Sequence, residues 1–361
     1  MEDREVVLAT VKKNGEVLKY GNAGGWRKDK EVMFEAIKQN KKLLKLVSTD
    51  LLQDSQFMLK CLQLSFPELA TLESIDYSNK EIMMKIIQEF PFLFSLASNA
   101  LRNDRDIVLA AVRNDGNLLR FASYLSDDKE IALVAVNTTG NALDYVSLPL
   151  KNDRNVVLAA VNQDGYALCY ASHELKDDRE IVLAALRQQG LALRFASEDL
   201  KKDRELVLTA VRQDGGALAL ASDELKSDQE IVLEAIKKDK NALSHASKEL
   251  FHDKEFLLKT IKLGCKDVLQ HAPKEFASDR EFMLKVFSYN DCSDKELMLE
   301  AVKINGFALR FASPALRQDA ELVMEALKCN GYVLQYSDEL YQARMEHCYH
   351  NVYVGKNKET K

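Results

Sequence analysis

Five prolines and fourteen glycines in 361 residues are too few for low-complexity linkers or a turn-rich all-β domain. No apolar run approaches the length of a membrane span. The start, Met1-Glu2-Asp3-Arg4-Glu5, has no basic stretch followed by an apolar one, so no signal peptide is expected. Positive charge is also in short supply. Lys+Arg total 50 against Asp+Glu 56, a net charge of -6, which argues against nucleic acid as the main partner because phosphate contacts need a basic surface. The six cysteines (Cys61, Cys169, Cys265, Cys292, Cys329, Cys348) are scattered without a Cys-x-x-Cys, as expected of reduced thiols in a reducing compartment. Metal-protease, dinucleotide, phosphate-loop and calcium-loop spacings are missing, so no cofactor, metal or catalytic group is expected. His347, Cys348 and His350 are the one cluster of ligand types, and a fourth ligand is not identifiable.

What the sequence does contain is one unit repeated many times. An Asp-Arg/Lys-Glu anchor recurs at Asp3, Asp29, Asp54, Asn79, Asp104, Asp128, Asp153, Asp178, Asp203, Asp228, Asp253, Asp279, Asp294 and Asp319. The usual spacing is 25 residues, and no compositional break separates the copies. The anchor carboxylate suits a helix N-cap, and the Glu two positions later (Glu5, Glu180, Glu205, Glu230) suits the positive end of the helix dipole. The intervening Arg is placed to pair with an adjacent layer. Apolar residues at the third, fifth and eighth positions, such as Ile181, Leu183 and Leu186, predict one buried stripe. A small residue at the seventh (Ala160, Ala185, Ala210, and Cys61 in one copy) lets a neighbouring helix come close.

Gly lies twelve positions after the anchor in eight copies: Gly15, Gly116, Gly140, Gly165, Gly190, Gly215, Gly306 and Gly331, while Gly264 falls one early. Placed just past a helix, often after Asn or Asp, it predicts a left-handed stop. A second helix then reads Ala-Leu-x-Phe/Tyr-Ala-Ser, as in Ala192–Ser197 and Ala308–Ser313. The prolines fit this register. Pro67 and Pro91 fall between the two helices of a copy, and Pro149, Pro273 and Pro314 fall between copies.

A 25-residue helix pair cannot bury its stripe alone, so stacking predicts an all-α fold: a right-handed or superhelical α-solenoid of about fourteen repeats. The expected organisation is a single array over 1–340, a closing helix over 341–355 (Tyr341, Met345, Cys348, Tyr349, Val352) and a disordered tail over 356–361. Two stretches depart from the pattern. The copy at 279–293 is ten residues short and lacks its second helix. The copies from Asp29 to about Asn103 lack the Gly and are more aromatic, with Phe66-Pro67 and Phe90-Pro91-Phe92-Leu93-Phe94.

Over Asp178–Ser197 the chain resembles the domain-of-unknown-function family numbered 4116, and the resemblance covers nearly the whole array. It implies a tandem helical repeat of a kind found in protists, large viruses and secreted effectors of intracellular bacteria, and it implies no reaction or catalytic residue.

Within a regular frame, the informative positions are those that vary. Positions thirteen and sixteen lie on the second helix, away from the Leu and Phe/Tyr expected to be buried. There the sequence places Tyr166, Leu191, Arg194, Phe307, Arg310 and Tyr332, residue types that favour a protein-binding strip. The outward positions of the first helix (Arg179, Glu180, Arg187, Arg204, Glu205, Arg212) read as a solvated face. The expectation is a non-enzymatic interaction scaffold for a protein or peptide, a monomer whose first helix either caps itself or meets a partner end-on. Its alternative is the repeat or targeting part of a secreted effector, or an enzyme acting at the irregular 288–293 segment around Tyr289, Asn290, Asp291 and Cys292.

Overall fold

Each copy begins where the anchor side chain takes over donors that the helix itself cannot satisfy. The computed structural model describes residues 4–20, 24–273, 275–276, 279–289 and 295–329. In it Asp178 is extended (φ -79°, ψ 112°), and its Oδ1 accepts from the N–H groups of Glu180 at 2.9 Å and Ile181 at 3.1 Å. The α-helix Arg179–Gln188 follows directly. Asp29, Asp54, Asn79, Asp104, Asp128, Asp153, Asp203, Asp228, Asp253, Asp279 and Asp319 cap their helices in the same way.

The buried stripe differs by one position from the expected one. Ile181, Val182, Ala185 and Leu186 are fully buried, as are Leu206, Val207, Ala210 and Val211 one copy later, while Leu183 and Leu208 are only half-buried. At 100° per residue the third, fourth, seventh and eighth positions share one arc, and the fifth stands at its edge. Burying a Leu, Ile or Val in full contributes roughly 1.5–3 kcal/mol.

The second element is a 3₁₀ helix, and a third short helical segment follows it. Asp214 shows how the change of helix type is made. Its N–H donates to the Ala210 carbonyl at 2.9 Å and closes the α-helix Arg204–Gln213. Its carboxylate accepts from Gly216 N–H at 2.9 Å and opens the 3₁₀ helix Gly215–Leu220. The copy then ends in a four-residue helix, Asp223–Lys226, before the next anchor. Asp115, Asp164, Asp239 and Asn305 open the equivalent 3₁₀ helices.

This geometry corrects the role expected of glycine. Among the described residues only Gly264 has a left-handed backbone, with φ 86°. Gly15, Gly116, Gly165, Gly190 and Gly215 need a missing side chain rather than an unusual φ. A Cβ at Gly215 would stand 2.5 Å from the carbonyl oxygen of Ala235, the seventh-position residue of the next copy. Gly116, Gly165 and Gly190 press on Ala135, Ala185 and Ala210 in the same way. The repeating Gly and the repeating Ala are therefore two sides of one interlayer contact. Where the layers touch, the Gly165 N–H donates to the Gln189 side chain of the following copy.

The chain divides into two compact units, Met1–Gln163 and Asp164–Lys361. In the second, the helices Arg179–Gln188, Arg204–Gln213 and Gln229–Lys238 pack in succession, and so do the 3₁₀ segments Gly165–Tyr170, Gly190–Phe195, Gly215–Leu220 and Lys240–His245. In the first, the helices Lys80–Glu89, Arg105–Val112, Lys129–Thr138 and Arg154–Gln163 do likewise. Each unit is thus an all-α repeat solenoid, with no strand among the described residues. At the short copy, the helix Arg280–Tyr289 is followed by Lys295–Ile304, which packs directly on the 3₁₀ segment Lys266–His271 of an earlier copy. The connector 290–293 and the expected closing helix and tail over 341–361 lie outside the described residues.

Candidate interaction surface

The anchor carboxylates have a second partner that ties one layer to the next. Arg179 Nε donates to Asp203 Oδ2 at 2.8 Å, and another of its guanidinium nitrogens bonds Glu205. Arg4 spans Asp29 and Glu31, Lys80 spans Asp104 and Asp106, Arg105 spans Asp128 and Glu130, Arg204 spans Asp228 and Glu230, and Lys295 spans Asp319 and Glu321. One anchor oxygen caps its own helix while the other binds the preceding layer. The Arg4 guanidinium beside Asp29 holds that carboxyl below its ordinary range, and the Lys129 ammonium does the same for Asp153. The recurring Asp-x-Glu is therefore occupied by structural bonds. Arg179 and Arg204, expected to face solvent and to pair with an adjacent layer, do both; Arg187 and Arg212 are exposed as well, and Arg212 lies 3.7 Å from Glu234 of the next layer.

The variable row falls on the outer side of the 3₁₀ helices. Its geometry follows from the three-residue turn, which buries Gly165 and Leu168 on one side and leaves Tyr166 38% exposed on another. Arg194 and Arg310 are exposed, and Leu191 and Phe307 are half-buried. Tyr332 lies outside the described residues.

The aromatic that follows this row is not buried as expected. Phe121, Tyr145, Tyr170, Phe195 and Phe311 are all half-buried. The 3₁₀ helix is too short and too tight to bring this last position round to the core, so the ring lies along the surface of the layer. Two groups of the expected strip form around such rings. Tyr166 meets Phe195 edge-on at 6.4 Å between centroids, and the Arg194 guanidinium sits 5.7 Å above the same ring. Leu191 in that copy lies over Gly216 of the next, 4.0 Å from where a Cβ would stand. Arg310 covers Phe311 at 4.6 Å, making a separate group five anchors further along the chain from the copy at Asp178, with Phe307 one 3₁₀ turn away. Arg120 covers Phe121 at 4.6 Å in the first unit. The rings Phe121, Phe195 and Phe311 are the surface residues that the sequence reading missed. Their signal was an aromatic preceded by Arg, repeated in one column.

Among the described residues no group of three or more His, Cys, Asp or Glu is arranged to hold a metal ion. His347, Cys348 and His350 lie outside the described residues, as do Asn290, Asp291 and Cys292 and the side chain of Tyr289. Burial pushes the Cys61 thiol up to about 12, which keeps it protonated and unreactive. No helix among the described residues is long and apolar enough to cross a membrane.

The sequence model of a family described as a domain of unknown function (DUF4116) matches the chain in nine overlapping segments: 3–52, 29–68, 79–126, 128–176, 155–201, 178–224, 203–251, 253–293 and 294–342. No curated protein and no solved structure matches it.

Proposed function

Since this chain belongs to the DUF4116 family of tandem helical repeats, we propose that it is a non-enzymatic scaffold. It binds protein or peptide partners in a reducing compartment through the outer row of its 3₁₀ helices. The observation that supports this reading is the pairing of Arg194 and Tyr166 on the half-exposed ring of Phe195. Packing of the repeat does not require these side chains, because Gly216 and Ala219 occupy the two positions in the copy at Asp203, and Asn241 and Ser244 in the copy at Asp228. A solvated face is ordinarily filled by Lys and Glu. Aromatic and Arg side chains contribute most when a partner removes them from water, and stacking on a neighbouring ring holds them in place beforehand, so less side-chain entropy is lost on binding.

The test replaces Tyr166, Arg194 and Phe307 together with Ala. Helical signal and melting should change little, while capture of partner from a source lysate should weaken about tenfold or more, the range of lost interface anchors. Matched changes of the exposed Arg187 and Arg212 should leave capture intact. If the Arg187 and Arg212 variant loses its partner and the row variant keeps it, the reading has the wrong surface.

A further inference from the structure

We propose that the first unit carries a separate binding cleft for an acidic peptide segment that also presents apolar side chains. The cleft has a volume of about 550 Å³ and runs between two 3₁₀ segments, Lys41–Leu46 and Pro91–Leu96. One wall carries Lys38, Lys41, Lys42 and Lys45, and the other carries Glu89, Phe90, Pro91 and Phe92. Its volume lies in the range of ligand-binding clefts, and it is open to solvent along one side.

The cleft exists because the copy between its walls is irregular. Successive 3₁₀ segments of the regular copies pack on one another, but Pro67–Thr71 makes no extended contact with the segment on either side and does not line the cleft. Its neighbours therefore face each other across a gap.

The two walls complement an acidic and apolar segment. Lys41, Lys42 and Lys45 are exposed, and none forms an ion pair within 4.0 Å among the described residues. Lys38 is already engaged by Glu35 at 2.8 Å. Behind Lys19 and Asn40, Lys45 adds to the interactions that lower the Glu16 carboxyl, so Lys41 and Lys42 are the ammonium groups most open to an incoming anion, and all three repel each other. Phe92 is half-buried and meets Phe90 edge-on at 6.5 Å, and Phe90 in turn meets Phe66 at 6.4 Å, so the apolar wall is anchored from behind. Glu89 selects among anions. Exposed on the aromatic wall and accepting from Ser65 Oγ at 2.9 Å, it would repel a continuous phosphate backbone but can accept from the N–H groups of a peptide. These arguments rest on the walls of the cleft and do not depend on the aromatic and Arg row of the second unit.

The test uses the full chain and three fluorescent probes: a peptide of alternating Glu and Phe, the same peptide with Gln for Glu, and oligodeoxythymidylate. The Glu–Phe peptide should bind saturably and more weakly as salt rises. The Gln peptide should bind about tenfold more weakly. Combining Lys41→Glu, Lys42→Glu and Lys45→Glu should cost about tenfold or more, and Phe92→Ala about threefold to tenfold, with melting unchanged because the three lysines are exposed. If the triple variant melts early, Lys42→Glu alone makes the same comparison with a smaller loss. Equal affinity of the charge-reversed and native chains overturns the proposal. So does the absence of saturable peptide binding, and so does oligodeoxythymidylate binding more tightly and displacing the peptide.

Discussion

The copies running from Asp178 to Lys226 and those running from Asp29 to Asn103 are built from the same unit and solve its packing differently. In the former, glycine at the start of each 3₁₀ helix presses on a following Ala, and Arg179 and Arg204 bridge to the next anchor. In the latter, Lys41 and Pro91 stand where the glycine would be. The ladder reaches Asp54 through Lys30 and resumes from Lys80 to Asp104, but between them Ser55 and Asn79 carry no charge. The glycine seat, the ion pair and the 3₁₀-to-3₁₀ contact all fail around one copy, and the cleft lies there. Regularity closes the layers of a repeat protein against each other, and space for a ligand opens where regularity lapses.

The largest effects should come from the glycine seats. Gly165→Asn tests close approach against a left-handed turn, because Asn is tolerated in the latter and not in the former. At Gly165 it should destabilise by about 2–3 kcal/mol, the scale of overpacking against backbone. At Gly264, the one left-handed position among the described residues, Asn should cost no more than about 1 kcal/mol. Lys41→Asn, in a copy without the seat, should be nearly neutral. Chemical denaturation of the three variants checks the order. Equal costs at Gly165 and Gly264 would return the glycines to a common turn-forming role.

Next in size are the anchors. Asp203→Ala removes a cap and an interlayer pair and should cost about 1–2 kcal/mol. Asp203→Asn keeps the cap and should cost about 0.3–1 kcal/mol, the range of a partly exposed ion pair. Asn79→Ala, where no charge pair exists, loses only a cap, so it should fall below Asp203→Ala.

Acid should act on the same contrast. The carboxyls of Asp29 and Asp153 are lowered chiefly by bonds to Arg4 and Lys129, so their folded values lie below the unfolded value of about 3.9. Their stabilisation is complete above the unfolded value and is lost as pH falls through the folded one. Melting should therefore hold steady down to about pH 4 and drop below it. Backbone exchange in acid should rise first in the ladder copies. The helix that starts at Asn79 has an uncharged cap and should keep its own protection longest relative to neutral pH. The smallest effect belongs to Arg187→Ala and Arg212→Ala, which should shift stability by no more than about 0.5 kcal/mol.

Much of this was legible in the sequence, and its limits are physical. The Asp cap and the Arg that reaches the next layer follow from residue type and a 25-residue period, and both are present. The kind of the second helix was not legible, because a six-residue segment such as Gly165–Tyr170 cannot distinguish a period of 3.0 from one of 3.6. The reason for Gly165 was not legible either, since a left-handed turn and a tight contact both ask for a missing side chain. Phe195 was expected in the core and lies half-buried because the 3₁₀ turn leaves it beside Arg194. The Lys41–Lys45 and Glu89–Phe92 walls are about fifty residues apart, and only the set-back segment between them makes them neighbours.

The 25-residue copy, seated by glycine and tied by the ladder, is the unit in which this chain is assembled. Deleting one whole copy, Asp178–Lys202, leaves Asp177 joined to Asp203, so every later layer keeps its register. Circular dichroism and thermal melting of that variant should show a helical, cooperatively folding protein of somewhat lower stability. Deleting only residues 178–189 places a 3₁₀ segment where an α-helix must pack, and it should abolish the cooperative transition. Equal damage from the two deletions would mean that the copy is not the unit of assembly.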